Sequence, residues 1–211
     1  MRCAVLSLCF LLIPAAFVRA ADPPAKDEEL DKSVDKALAF LAGAQNEDGG
    51  WSAGPRGVGQ ANPAVTSLCV MSFLSAGHVP GEGRYGDAVE KGVRWVLQAQ
   101  HDNGLFAGNQ AQEMYHHGIC TLMLAEAAGM TDGKLGEDIR KKLVKAVDVI
   151  LKAQRTENGP ERGGWRYQVM HVGGSDMSCT GWQLMALRAA KNVGCDVPAK
   201  NIEEAVAFIK R

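Results

Sequence analysis

The segment that decides the fold is Gln45-Asn46-Glu47-Asp48-Gly49-Gly50-Trp51, a glutamine followed by a glycine-rich turn and an aromatic residue. The pattern returns as Gln100-His101-Asp102-Asn103-Gly104-Leu105-Phe106, and again from Gln154 to Gly163-Gly164-Trp165. The three glutamines thus follow one another at nearly equal intervals. Because glycine accepts the positive φ angles of tight turns, this spacing predicts a repeat of about 54 residues with a sharp turn in each unit. We call these turns corner 1 (45–51), corner 2 (100–106) and corner 3 (154–165).

An amphipathic run precedes each corner. Positions −4, −7, −8 and −11 relative to each glutamine give one apolar helical face three times: Leu41, Leu38, Ala37 and Val34; Val96, Val93, Gly92 and Val89; Ile150, Val147, Ala146 and Leu143. After each corner comes a stretch that is apolar nearly all round, over 64–76, 118–128 and 179–190. Helices without a polar face are buried on both sides. The sequence therefore predicts an all-α fold of tandem helix hairpins, with amphipathic outer helices around buried inner helices.

The corners themselves are expected to contribute to stability. The substitution Gly50→Val should strain the turn, and Trp51→Ala should remove the ring that folds over the preceding helix end.

The N-terminus predicts a signal peptide over residues 1–21. Arg2 precedes an apolar stretch over 3–18 that is shorter than a membrane-spanning helix, and Val18-Arg19-Ala20 fits the small-residue rule for cleavage. We therefore expect an exported protein, periplasmic or extracellular, with no membrane span after cleavage. The net charge of −1 and the absence of a basic run argue against nucleic acid as a partner.

A fourth outer helix begins near the C-terminus, where Ile202, Ala205, Val206 and Ile209 repeat the apolar face. Its glutamine would fall at about position 213, beyond Arg211. We therefore expect the repeat domain, 22–211, to be truncated at its C-terminus after about 3.5 repeats. The alternative is a short natural form that self-associates through this helix, since its apolar face would otherwise lack a cover.

The three corners resemble the QW-type repeats of the terpenoid cyclase and protein prenyltransferase superfamily. The resemblance is closest to squalene-hopene-cyclase-like proteins and to prenyltransferase and squalene oxidase repeat proteins. It implies an α/α toroid of five or six helix hairpins around a central cavity ringed by inner-helix ends. This chain would form an incomplete ring of that kind.

Cyclases of this superfamily protonate an alkene with an Asp-x-Asp-Asp-Thr motif at the start of an inner helix. The corresponding segment here is Gly174-Ser175-Asp176-Met177-Ser178-Cys179-Thr180, which has one aspartate. A single carboxylate cannot form the paired arrangement that sharpens such an acid. Asp176 is a candidate catalytic acid, but the sequence favours Ser175 or Asp176 as the cap of the following helix.

The superfamily's prenyltransferases bind zinc through Asp, Cys and His. Asp176 and Cys179 are three residues apart and would share a helix face, with His171, His116 or His117 as the third ligand. The alternative for Cys179 is a buried thiol beside a cap. Because the family's Asp-x-Cys spacing is not met, we expect no metal and no other cofactor.

Candidate ligand-binding residues lie at and near the starts of the second and third inner helices: Tyr115, His116, Trp182 and Gln183. His116 and His117 are also candidate catalytic residues, although adjacent histidines on a helix point about 100° apart. The sequence leaves three functions open. The chain is a cavity-type binding protein for an apolar or extended small molecule, a cyclase or prenyltransferase whose catalytic residues lie in further C-terminal repeats, or a scaffold for a protein partner.

Overall fold

The computed structural model describes residues 28–54, 59–107 and 110–211, so the expected signal peptide lies outside the described residues. Within these ranges the chain forms seven α-helices and no named strand, which confirms the all-α prediction. The helices are α1 (Glu28–Gly43), α2 (Pro63–Ser75), α3 (Gly86–Gln98), α4 (Glu113–Ala128), α5 (Gly133–Ala153), α6 (Met177–Asn192) and α7 (Ala199–Ile209). A short 3₁₀ helix, Gln110–Gln112, leads into α4.

The helices form two layers. The inner helices α2, α4 and α6 lie side by side with α4 in the middle, while α3 lies against α2 and α4, and α5 against α4 and α6. The predicted apolar faces of α3 and α5 are buried in full: Val89, Gly92, Val93, Val96, Leu143, Ala146, Val147 and Ile150. The inner helix α4 begins five residues before the predicted start at 118, so Tyr115, His116 and His117 belong to it.

Two predictions about burial are wrong in part. In α1 only Leu38 is buried, and Val34 is 40% exposed, because α1 packs chiefly on α2. The inner helices α2 and α6 are not buried on both sides, since Leu68 is 43% and Met185 46% exposed. Within the described ranges each of these two helices has one inner neighbour, whereas α4 has two and is buried almost throughout.

Each corner glutamine ties its own turn to the next outer helix. Its side-chain Nε2 donates to a carbonyl within the corner and to a second carbonyl in the helix that begins the following repeat. The acceptors are Gly49 and Ala88 for Gln45 (2.8 and 2.9 Å), Gly104 and Lys142 for Gln100 (2.9 and 2.9 Å), and Gly163 and Asn201 for Gln154 (2.9 and 2.8 Å). Consecutive repeats are therefore joined by the same pair of hydrogen bonds, which we call the glutamine clamp.

One glycine in each corner makes this close approach feasible. Gly49, Gly104 and Gly163 have φ angles of 94°, 90° and 89°, which L side chains rarely adopt. A Cβ atom at these glycines would stand 2.9, 2.8 and 2.1 Å from the backbone carbonyl oxygens of Lys91, Lys145 and Glu204, respectively. The corner backbone thus lies directly against the next outer helix.

The aromatic residue that closes each corner is buried and fixes the start of the inner helix. Its backbone N–H donates to a side chain one turn into that helix: Trp51 to Thr66 (2.9 Å), Phe106 to His117 (3.1 Å) and Trp165 to Thr180 (3.0 Å). Thr66, His117 and Thr180 are therefore equivalent positions, and they set the register between the three inner helices.

Candidate functional site

Asp176 lies at the N-terminus of α6 and caps it. Its Oδ1 accepts the backbone N–H of Cys179 at 2.8 Å, and its own N–H donates to the carbonyl of Trp165 at 2.8 Å. Asn62 takes the same position at α2, where its Oδ1 accepts the backbone N–H groups of Ala64 and Val65. The capping role predicted for Asp176 is confirmed, and an uncharged amide performs it two repeats earlier.

Three hydroxyl groups also converge on the Asp176 carboxylate. Oδ1 accepts from Ser178 (2.7 Å), and Oδ2 accepts from Tyr167 (3.2 Å). The Tyr115 hydroxyl lies 3.1 Å from Oδ1 and 2.5 Å from the Ser178 Oγ, so its single proton is shared between these two acceptors. Burial raises the pKa of Asp176, but the hydrogen bonds from Cys179, Ser178, Tyr115 and Tyr167 outweigh it and leave the pKa below its usual value. The carboxylate is therefore ionised at neutral pH, which suits an acceptor and not an acid that protonates an alkene.

The two tyrosines of this group stack on each other. The ring centroids of Tyr115 and Tyr167 are 5.8 Å apart with an interplanar angle of 24°, and the guanidinium of Arg166 lies 4.6 Å from the Tyr167 centroid. Burial raises the pKa of Tyr115. We call Tyr115, Tyr167, Asp176 and Ser178 the tyrosine–aspartate cluster. The sequence did not identify Ser178 or Arg166 as members of a site, because only the fold brings them to the start of α4.

His117 belongs to the core. The side chain is fully buried; Nδ1 accepts from the Phe106 backbone, and Nε2 lies 2.9 Å from the carbonyl oxygen of Ala146 in α5. Because Nδ1 accepts, Nε2 must carry the proton. Burial lowers the pKa of His117 to about 4, against a smaller opposing effect of the bond to Ala146. This geometry leaves His117 no surface for a substrate.

The other ligand-binding candidates are placed differently from one another. Gln183 is fully buried, with Nε2 donating to the carbonyl of Met114 at 2.8 Å, so it joins α6 to α4 and offers no surface to a ligand. His116 and Trp182 are half-buried, and burial lowers the pKa of His116. Of the predicted set, Tyr115, His116 and Trp182 retain exposed surface.

The structure does not assemble the zinc ligands considered from the sequence. His171 contacts Glu157 and the carbonyl of Ala153, while the thiol of Cys179 donates to the carbonyl of Arg166 at 2.9 Å. Burial raises the pKa of Cys179 to about 12, so its thiolate is disfavoured. Over residues 28–54, 59–107 and 110–211, no three His, Cys, Asp or Glu side chains are grouped to hold a metal ion.

The exposed side of the inner layer is apolar at equivalent positions in all three repeats. At the second and fifth positions after Thr66, His117 and Thr180, the chain carries only large apolar side chains: Leu68, Ile119 and Trp182; Met71, Leu122 and Met185. We call these six residues the inner wall. Their exposure rises from 8% at Ile119 to 46% at Met185.

A groove of about 580 Å³ runs over α6 and includes part of the inner wall. It begins at Leu122 on α4, passes Met185, and reaches Ile202 and Val206 on α7. Arg188 also lines this groove. Glu126 and Asn192 line it as well. The tyrosine–aspartate cluster lies at the opposite, N-terminal end of the same helices, so polar groups stand at both ends of the apolar inner wall.

The chain is similar to a squalene–hopene cyclase. The relative, from Bradyrhizobium diazoefficiens, is 23% identical over 198 residues, a match that covers 84% of this chain and 29% of that cyclase. The chain thus spans less than a third of the length of the curated relative it matches. No protein-family model matches the sequence. This similarity supports a relationship at the level of the cyclase-like superfamily and does not single out one member.

The fold agrees with that relationship. Two concentric layers of helices are what an α/α toroid requires, and the described helices form such layers. Among the described residues, no helix is both long and apolar enough to cross a membrane.

Proposed function

We propose that this chain is a binding protein with a squalene-cyclase-like fold, and that its inner wall holds an apolar or extended molecule of the squalene type without cyclising it. The observation that carries the proposal is the inner wall itself, where two equivalent positions in each of three repeats all carry large apolar side chains. Exposed apolar area on this scale gains about 25 cal/mol for each Å² that a ligand covers.

The state of Asp176 supports binding without cyclisation. An alkene-protonating acid must carry its proton until transfer, which requires a carboxyl group whose neutral form is favoured. Asp176 has four hydrogen-bond donors around its two oxygens and a lowered pKa. Asn62 caps α2 from the equivalent position, so capping alone explains a residue of this type at position 176.

The test uses squalene as the probe. The purified chain is mixed with squalene in cyclodextrin and passed over a gel-filtration column, and the protein fraction is extracted and analysed by gas chromatography–mass spectrometry. We expect squalene to co-elute unchanged with the wild type and to be lost from the Leu122→Glu and Met185→Glu variants. The control is Val144→Glu, at a residue of α5 that is 60% exposed; it should retain squalene.

Two outcomes would contradict this proposal. If the wild type retains no squalene at a saturating dose, the inner wall does not bind this class of molecule. If a cyclised isomer with a shifted retention time appears and is lost in Asp176→Asn, the chain is an enzyme and Asp176 is its acid.

We also propose that residues 1–21 direct export, because their charge and apolar pattern are typical of a signal peptide. Expression of the whole chain in a bacterial host, followed by intact mass spectrometry of the periplasmic fraction, tests this. A mature protein that starts at Ala21 or Asp22 supports export, and an uncleaved chain confined to the cytoplasm contradicts it.

A further inference from the structure

Among the described helices, the outer helices α1 and α7 have fewer inner neighbours than α3 and α5. The middle outer helices α3 and α5 each contact two inner helices, whereas α1 packs chiefly on α2, and α7 chiefly on α6. On α7, Ile202 and Val206 are half-exposed and Ile209 is 37% exposed. Within the described ranges, α7 therefore presents an apolar face where a second inner helix would fit.

The sequence of α7 matches that of α1 position by position. In each outer helix, the residue that accepts the glutamine-clamp bond marks an equivalent position. These acceptors are Ala88, Lys142 and Asn201, and they set the register of the helices. The equivalent residue in α1 is Ser33, which precedes Ala88 by the same interval that separates Gln45 from Gln100.

From there, Ser-Val-Asp-Lys-Ala-Leu-Ala-Phe-Leu in α1 aligns with Asn-Ile-Glu-Glu-Ala-Val-Ala-Phe-Ile in α7. Leu38 thus corresponds to Val206, and Leu41 to Ile209. The face that α1 sets on α2 is repeated on α7.

The alignment contains one reversal of charge, and it indicates whether α7 or α1 is bound more firmly to its own corner. Glu204 of α7 pairs with Arg162 of corner 3 at 2.7 Å, whereas the equivalent residue of α1 is Lys36. Lysine at this position would repel Arg162. Corner 3 therefore retains its own α7, and α1 is the helix that can be exchanged.

α1 is also held by few contacts. Leu38 is its only buried residue, and the Nε1 of Trp51 donates to the carbonyl of Leu41 at 2.7 Å. In the register above, the carbonyl of Ile209 would accept the same hydrogen bond. An α7 helix that replaced α1 on α2 would reproduce both the apolar contact and the polar one.

The inner layer offers a matching surface on α6. In α4, Gly118 follows His117 and lies directly against Gln183 of α6, which an added Cβ would meet at 2.5 Å. The equivalent residue in α6 is Gly181, and a Cβ there would meet nothing within 4 Å. The residue of α2 equivalent to Gln183 is Cys69, three residues after Thr66. A neighbouring α2 would therefore bring Cys69 against Gly181.

We propose that this chain self-associates head to tail, with α7 of one copy taking the place of α1 on α2 of a second copy. The second copy's α2 then packs beside α6 and covers the half-exposed face of α7. The inner wall continues across the contact, because Leu68 and Met71 of the second copy follow Trp182 and Met185 of the first. The association does not depend on a bound ligand.

The first test is a disulfide cross-link in the full chain. The variant Gly181→Cys, oxidised under mild conditions, is expected to give covalent dimers and higher oligomers on a non-reducing gel, because each copy carries both faces of a head-to-tail contact. The peptide map should join native Cys69 to the thiol introduced at position 181. The double variant Gly181→Cys, Cys69→Ser should lose this species. Val144→Cys, on the exposed face of α5, should form no link to Cys69. A map without the 69–181 peptide would overturn the proposal.

The second test leaves position 181 unchanged. Sedimentation velocity should show that Leu38→Asp, which releases α1 from α2, raises the association constant by about tenfold. Phe40→Asp is the matched control, because Phe40 is 66% exposed on the same helix. Val206→Asp should abolish association. Wild type and Leu38→Asp chains that both remain monomeric at the highest concentration would refute head-to-tail contact, with folding of each variant checked by circular dichroism.

Discussion

His117 accepts the backbone N–H of Phe106 at 3.1 Å and lies with its other ring nitrogen 2.9 Å from the carbonyl oxygen of Ala146. In the other two repeats a threonine hydroxyl accepts this N–H, and the corner residue is a tryptophan whose indole N–H donates to the preceding outer helix. Phenylalanine has a smaller ring and no such donor. The stacked imidazole, 5.9 Å from the Phe106 centroid, adds the missing volume, and its Nε2 donates to α5, the following outer helix, instead of the preceding one.

His117 should make the fold sensitive to mild acid. Its pKa is about 4 in the folded protein and about 6.5 in an unfolded chain. Because the unfolded state binds the proton first, stability is full above about pH 6.5 and falls as the pH drops toward 4. The loss across this window is on the order of 3 kcal/mol. Urea midpoints measured from pH 7 to pH 4 check this expectation.

The variant His117→Gln is the informative comparison for that experiment. Glutamine supplies an acceptor and a donor but does not titrate, so the pH dependence should flatten between 6.5 and 4. His101→Gln, at an exposed histidine in corner 2, should leave the dependence as it is in the wild type. Equal slopes for the wild type and His117→Gln would show that His117 does not cause the acid sensitivity.

The corner glutamines should differ in their contribution to stability. Gln154→Ala removes the two Nε2 bonds and also the bond from Asn201 to Oε1, while the Oε1 of Gln100 is buried without a partner. We expect Gln154→Ala to lower the free energy of unfolding by about 3 kcal/mol and Gln100→Ala by about 2 kcal/mol. Thermal and urea unfolding measure both. Gln98→Ala, at an exposed residue in α3, serves as the control and should change little.

The contact between corner and helix can be separated from the strain of positive φ. Gly163 and Gly77 both have positive φ, but a Cβ at Gly163 would stand 2.1 Å from Glu204, while at Gly77 nothing lies within 4 Å. Gly77→Ala should therefore cost about 1 kcal/mol from backbone strain alone. Gly163→Ala should cost about 3 kcal/mol, because the helix must also shift. Similar urea midpoints for the two variants would argue against close contact at corner 3.

The capping role of Asp176 predicts that an amide can replace its carboxylate at a smaller cost than loss of the whole side chain. Asp176→Asn keeps an acceptor for the Cys179 N–H but gives up the acceptor of the Tyr167 hydroxyl, so it should lower stability by about 0.5 kcal/mol, whereas Asp176→Ala should cost about 1 kcal/mol. The reciprocal variants Asn62→Asp and Asn62→Ala provide a matched pair at α2. If Asp176→Asn proves as damaging as Asp176→Ala while Asn62→Asp is neutral, the carboxylate has a role beyond the cap.

The helical architecture could be predicted from the sequence because it depends on residues that lie close together in the chain. Four glutamine-relative positions predict the buried faces of α3 and α5, and glycine with an aromatic residue predicts each corner. The details within a corner were less accessible. The sequence assigned turn strain to Gly50, but Gly49 carries the positive φ, and Gly50 is constrained instead by Ala61 and Trp95, which an added Cβ would meet at 2.5 and 2.8 Å.

Only part of the candidate site could be predicted from the sequence. Asp176 as a cap follows from its place before an apolar run. Of the hydroxyls that surround it, those of Ser178 and Tyr167 lie nearby in the chain, but that of Tyr115 comes from α4, 61 residues away. The role of His117 depends on its equivalence to Thr66, which becomes visible only through the hydrogen bond to the corner. Burial of Gln183 arises in the same way, because a glycine on the neighbouring helix opens the space it fills.

Corner 3 is longer between its glutamine and its clamp glycine than corners 1 and 2, yet its two clamp bonds, at 2.9 and 2.8 Å, are as short as theirs. The two clamp bonds thus do not depend on the number of residues between the corner glutamine and the clamp glycine. These turns are natural insertion points, where new recognition loops can be acquired by evolution or grafted by design while the helical frame stays unchanged.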